Sequence, residues 1–250
     1  MTPKLTEMTT EELRALLARP RTAVLVPVGS VEPHGPHLPL GTDTLISERA
    51  SERAAVLLAE RGIDAGLAPS VPYGVTDYAA GFAGAVGVPP EALTGFLQAV
   101  CKQWLAAGFT HVCLVNNHLE PAHDAAVRAA IASLPDGAAS VACPLTRRWG
   151  RTLTDEYKRG NCHAGRYETS LVLAAGGRVL GDVARALPPI ATSLAEGIAA
   201  GKKTFAEMGL DRAYTGAPAE ATREEGEASY EKLAVMIATE VAEGIARLVD

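Results

Sequence analysis

Two short apolar runs, each stopping where a cluster of histidines and carboxylates begins, constrain this chain more than any other feature. Residues 22–28 (TAVLVPV) and 111–115 (HVCLV) are almost uninterrupted apolar stretches. That is the pattern of strands buried on both faces, not of surface strands with alternating polarity. Helical segments lie between and around them. Residues 43–61 stop before Gly62 and residues 90–107 before Gly108, glycine being favoured just past a helix end. Pro121 suits the first turn of a further helix. Thr9-x-x-Glu12 and Thr222-x-x-Glu225 read as capping boxes, the first opening a helix to about residue 19 and the second a long C-terminal helix. Residues 140–143 offer a third strand, and residues 168–175 a short helix. Strand, crossover helix, strand predicts an α/β fold: a three-layer α/β/α sandwich with a mainly parallel central sheet, in one domain over residues 1–250. Residues 180–221, rich in Gly, Pro and Ala, read as an extended or mobile excursion.

Ligands of open parallel sheets sit beyond the carboxyl ends of the strands. The segments richest in possible ligands, residues 29–43 and 116–123, begin at those two ends. Of six histidines, five fall in three short segments: His34 and His37, His118 and His123, and His163. Carboxylates accompany each: Glu32 and Asp43, Glu120 and Asp124, and Glu168. Glu32-Pro33-His34 and His118-Leu119-Glu120 are both i, i+2 pairs. An extended backbone points such residues to one side, about 7 Å apart at Cα, whereas a helix does not. Pro33 biases Glu32 towards the extended form. One carboxylate and one imidazole per strand end suit two adjacent ions, which lie ~3.5–4 Å apart in dinuclear hydrolases. Mixed nitrogen and oxygen donors fit zinc, manganese or similar ions. Taken singly, each residue also has an ordinary reading: an N-cap for Asp43, surface charges for the glutamates, loop hydrogen bonds for the histidines.

Composition narrows the classes. Hydrophobic residues make up 48% and charged residues 21% of 250, with a net charge of −6. A long disordered chain and a basic nucleic-acid surface are both excluded as expectations. No stretch approaches the ~18–20 apolar residues of a membrane span. The N-terminal residues lack a signal-peptide pattern, and the four widely spaced cysteines read as reduced thiols. The expected setting is cytoplasmic, with neither nucleic acid nor membrane as a partner.

Residues 26–44 (VPVGSVEPHGPHLPLGTDT) resemble the leading signature of the creatininase (creatinine amidohydrolase) family, departing at Val31, usually Thr, and Pro33, usually Gln. Asn116-Asn117-His118-Leu119-Glu120 is similar to the Asn-Gly-His-x-Glu segment of creatininase itself. His163-Ala164-Gly165-Arg166-Tyr167-Glu168-Thr169-Ser170 resembles the family's His-Ala-Gly-x-x-Glu-Thr-Ser segment. The resemblance implies two divalent ions per chain, zinc and/or manganese. Glu32 and His118 would bind one, His34 and Glu120 the other, and Asp43 would bridge them. His163 would be a catalytic acid/base or a substrate-orienting residue, with Glu120 and Glu168 as further catalytic groups. Glu168 becomes a ligand in members lacking the second-motif glutamate, so here it is either a ligand or a neighbour of one. The resemblance also implies a creatininase-like fold and a homo-oligomer, often a hexamer.

The chemistry expected is hydrolysis of an amide or cyclic amide C–N bond of a small molecule, by a hydroxide held between the ions. Asn117, Tyr78 and Trp149 are candidate substrate-binding residues, Trp149 as part of a lid with Arg147, Arg148 and Arg151. Leu119 stands where creatininase has an aromatic residue, which argues against creatinine itself. The alternatives are hydrolysis of a different bond (the C–C bond of a cyclic ketone, a formamide or a peptide precursor) and a catalytically silent metabolite-binding member.

Overall fold

The structure is a computed structural model, and it describes residues 3–248. Its core is a four-stranded, wholly parallel sheet. In chain order the elements are α1 (Thr10–Leu17), β1 (Thr22–Val28), α2 (Thr42–Glu60), β2 (Asp64–Leu67), α3 (Pro90–Ala106), β3 (His111–Asn116), α4 (Pro121–Ile131) and β4 (Ala139–Ala142). Then follow α5 (Arg147–Gly150), α6 (Asp155–Lys158), α7 (Arg166–Ala174), α8 (Gly181–Ala186), α9 (Leu194–Ala199) and α10 (Arg223–Arg247). The strand order is β2-β1-β3-β4, with Ala23 opposite His111 and Val28 opposite Asn116.

Both predicted central strands form, every residue of each buried. Successive side chains of β1 alternate between the two faces of the sheet. Ala23 and Leu25 pack with α2, α7 and α10, whereas Val24, Val26 and Val28 pack with α3 and α4. This is the three-layer α/β/α arrangement expected. Thr9 forms the capping box read for it, accepting from Glu12 N with the reciprocal bond present, whereas Thr222 caps its helix by accepting from Glu225 N without the reciprocal bond, the Glu225 side chain pairing with Arg166 instead. Gly62 and Gly108 take the left-handed conformation just past α2 and α3. All four cysteines are buried and free. No described helix is long and apolar enough to cross a membrane.

The largest departure concerns residues 180–221. The expected mobile excursion is instead a folded segment packed across the carboxyl end of the sheet. Leu210 is fully buried, and Phe205 and Tyr214 nearly so. Its backbone is tied back by Leu180 N to His37 O, Leu194 N to Gly160 O, and the mutual pairing of Ile190 with Gly216. A few large apolar side chains anchor a composition that has little intrinsic preference for any element.

Candidate metal centre

Beyond β1 the chain turns at Gly29, where a Cβ would collide with Thr44 at the start of α2. The loop closes through Glu32 N donating to Leu40 O at 3.1 Å, and Gly35, at φ +62°, donates to Ala213 O. Glu32 and His34 thus come to face the first turn of α2, where Asp43 sits. His34 Nδ1 donates to the Glu32 carbonyl at 3.1 Å. That directs Nε2 at Asp43 Oδ1, 3.0 Å away, and Glu168 Oε2, 3.5 Å away.

Beyond β3, Asn116 Oδ1 accepts from His118 N at 2.9 Å and holds the turn. His118 Nε2 donates to Val75 O at 2.6 Å, which leaves Nδ1 facing Glu32 Oε1 at 3.2 Å and Asp43 Oδ2 at 3.1 Å. Asp43 Oδ2 is buried, yet this approach makes no hydrogen bond. Glu120, on the same face as His118, accepts from Asp77 N and Tyr78 N at 3.1 and 3.3 Å. Glu168 projects from the first turn of α7, and its Oε2 accepts from Ala164 N at 2.7 Å. Ala164 holds a left-handed backbone, φ +48°, a strained conformation for alanine of the kind found at functional sites.

His163 lies between the rings of His34 and Phe205, with centroids 4.6 and 4.5 Å away. Its Nε2 donates to Pro33 O at 3.0 Å, leaving Nδ1 on the side of Glu32 Oε1 at 3.8 Å. Burial, reinforced by the neighbouring His34, pushes His163 down to about 4, so it is neutral near pH 7. At His34 burial opposes the charge, but Asp43 and the glutamates outweigh it and raise the group to about 10. His118 is raised for the same reason, with Glu32 and Asp43 overcoming burial. Burial raises Glu120 to about 7 against the pull of His118, and it raises Glu168 too, against that of His34.

Three donor sets lie within 4.8 Å: Glu32, His118 and Glu120; His34, Asp43 and Glu168; and Glu32, His34 and His163. The seven residues are each no more than 6% exposed. Four carboxylates therefore converge with three imidazoles, and no lysine or arginine lines their pocket. Buried carboxylates call for positive charge beside them, which the raised His34 and His118 supply here. The carboxylates that favour protonated imidazoles would hold a divalent cation in the protons' place. The donor set fits such ions.

Other placements differ from the sequence expectations. Glu120 groups with Glu32 and His118 rather than with His34, because an extended backbone keeps an i, i+2 pair on one face; Glu168 stands beside His34 instead. Asn117 points the opposite way, its Nδ2 donating to Ser47 Oγ at 3.1 Å, and it does not line the pocket. Trp149 is not a lid. It packs in the core on the α10 side, its Nε1 donating to Glu240 at 2.6 Å, since a buried indole N–H needs an acceptor. Tyr78 does line the pocket. His37 donates to or accepts from Thr169 Oγ1 at 2.8 Å. His123 packs edge-on against His118, 4.6 Å between centroids, and accepts from Val75 N. Thr76, which donates to Glu32 Oε2 at 2.8 Å, and Phe205 carried no signal in the sequence: one is an isolated threonine, the other lies in the segment read as an excursion.

A parallel α/β/α sheet with a buried histidine–carboxylate cluster beyond its strand ends has the make-up of a candidate metal centre. Residues 6–241 match the family model described as creatinine amidohydrolase. The chain belongs to the creatininase family, whose members are metal-dependent amidohydrolases. It is 32% identical over 223 residues to the mycofactocin precursor peptide peptidase of Mycolicibacterium smegmatis, covering 84% of this chain and 80% of the relative. It is 29% identical over 168 residues to the 3-dehydro-scyllo-inosose hydrolase of Thermotoga maritima, covering 67% of this chain and 51% of that protein. The solved structure "Creatininase Mn" superposes with a TM-score of 0.72 at 20% identity, covering 98% of this chain and 99% of that one, which shows the shared fold.

Proposed function

We propose that this chain hydrolyses an amide or cyclic amide C–N bond of a small molecule, using two divalent ions. One would be held by Glu32, His118 and Glu120, the other by His34 and Glu168, with Asp43 between them. The observation that carries this is the approach of both Glu32 Oε1 and Asp43 Oδ2 to His118 Nδ1, with no hydrogen bond made to Asp43 Oδ2. Lone pairs aimed at a common point are what a cation requires, and each imidazole has its other nitrogen committed to a backbone carbonyl, the arrangement that fixes a ligating tautomer. Ions bound there would polarise a substrate carbonyl and lower the pKa of a water; the mixed donors favour zinc or manganese.

The remaining chemistry falls to the chain. His163 is neutral, donates from Nε2 to Pro33 O, and keeps Nδ1 as an acceptor. It can take a proton at Nδ1 and return it to the leaving nitrogen. Phe205, Leu194 and Ile198 make one side of the pocket apolar. Tyr78 stands at the pocket wall, its backbone N–H holding Glu120 in place. The reading extends to one cytoplasmic domain assembling as a homo-oligomer, a hexamer by family resemblance, which light scattering would test.

Elemental analysis of protein purified with added zinc or manganese is expected to find two ions per chain; fewer than one would overturn the dinuclear reading. A panel of amides, cyclic amides, formamides and cyclic ketones then tests the bond. Ketone hydrolysis without any amide cleavage would replace the amide reading with the one suggested by the inosose hydrolase relative.

A further inference from the structure

Helix α7 opens without a cap of its own. Gly165, at its N-cap position, has no side chain to accept from the first-turn amides, which a helix leaves without intrahelical partners. The acceptor comes from another element. Glu156, buried on α6, takes Arg166 N on Oε1 at 3.1 Å and Tyr167 N on Oε2 at 2.7 Å. Its Oε1 also takes Ala217 N at 2.7 Å, from the end of the segment that folds over the pocket. Burial raises the carboxyl, and these three N–H groups oppose that rise. The positive end of α7 favours the ionised form as well.

The backbone around this carboxylate is shaped to it. Gly216 holds φ +81°, and a Cβ there would collide with Glu156 Oε1; at Gly165 a Cβ would come within 2.9 Å of Oε2. The carboxylate joins the two stretches that present the site. Glu168 follows Tyr167 in the first turn of α7, and its Oε2 lies 3.5 Å from His34 Nε2 while accepting from Ala164 N. On the other side, Thr215 N donates to the His163 carbonyl at 2.9 Å, and Gly216 pairs with Ile190. Glu156 itself does not line the pocket and belongs to none of its donor sets. Any influence it has on the centre passes through Glu168 and His163.

Resting on the two-ion reading above, we infer that Glu156 is a positioning residue: it ties residues 215–217 to the first turn of α7 and thereby holds Glu168 and His163 towards the centre. A carboxylate is needed because its two oxygens accept from all three donors, whereas a glutamine must turn its NH2 towards at least one of them. Loosening this tie weakens the ion beside His34 and Glu168. The ion at Glu32, His118 and Glu120 rests on β1, β3 and their loops and is left as it was.

The test compares Glu156→Gln with His111→Ala, a destabilising change at the far end of the sheet, both in the full-length protein. Zinc is titrated by calorimetry, and amide hydrogen exchange is followed before and after metal removal. In Glu156→Gln one of the two zinc ions is expected to bind ~10–100-fold more weakly, the range for groups that orient a ligand, and the other as in the wild type. Exchange at residues 166–168 and 215–217 should quicken together by about tenfold, with or without metal. His111→Ala should lower unfolding stability and do neither. Unchanged zinc binding, equal weakening of both ions, faster exchange in only one of the two stretches, or the same changes in His111→Ala overturns the proposal. Joint quickening in a protein whose wild type binds fewer than two ions upholds the tie and counts against the two-ion reading.

Discussion

Two buried histidines flank strand β3, His111 at its start and His118 just past its end, and they sit in opposite environments. His111 opens the strand, fully buried, its Nδ1 donating to Gly137 O and its Nε2 meeting Ser140 Oγ, both at 2.8 Å. No carboxylate touches it, and burial pushes it down to about 4. His118 lies two residues past the strand's other end, equally inaccessible, but there Glu32 and Asp43 raise it well above the ordinary value. Burial alone makes a histidine neutral and structural. Burial among carboxylates instead raises it, because the surrounding negative charge favours a positive group there. The difference follows strand polarity: in a parallel sheet only the carboxyl ends receive the loops and helix N-termini that bring such groups together.

The sharpest way to break this contrast is at Asp43. Asp43→Ala is expected to lose both ions by elemental analysis and to lower kcat/KM by roughly 10³-fold or more, about 4 kcal/mol of transition-state stabilisation. Retention of both ions would show that Asp43 does not join the two donor sets. His163→Ala should separate binding from chemistry: metal content is kept while kcat falls by ~10²–10⁴-fold. Loss of the metal in that variant would make His163 a ligand instead.

At the opposite end, stability is the readout. His111→Ala is expected to cost about 2–4 kcal/mol in denaturant unfolding, through the cavity and the stranded Gly137 carbonyl, with metal content untouched. The same histidine gives a pH signature. Its folded pKa lies below the unfolded one, so its contribution is complete above pH 6.5 and is lost as pH falls towards about 4. The difference in unfolding free energy between wild type and His111→Gln should therefore shrink by about 3 kcal/mol across that window. A pH-independent difference would mean that His111 is not held neutral. The smallest effect is expected from Ser140→Ala, about 1–2 kcal/mol for one lost partner of a buried imidazole, again with full metal content.

Legibility followed the range of the interactions involved. Strands β1 and β3 could be read because seven and six successive buried residues leave an apolar run, and the helix ends because capping and left-handed glycine are local chemistry. Strand β2 could not: four residues, DAGL, carry almost no strand preference and are recruited by pairing with β1. In the site, the i, i+2 pairs and Asp43 were visible since one backbone conformation sets their direction. The same alternation that unites His118 with Glu120 turns Asn117 away from the pocket. The placement of Trp149 leaves no local signal, because its partner, Glu240, lies 91 residues away.

The sequence by itself determined that two buried strands end in histidine–carboxylate pairs, and hence that these groups gather at the carboxyl end of a parallel sheet. The tertiary structure decided how those donors are shared. It set Glu168 rather than Glu120 beside His34, placed His163 between His34 and Phe205, and folded residues 180–221 over the pocket. Each of these depends on contacts between segments far apart in the chain, whose geometry only the packed core specifies.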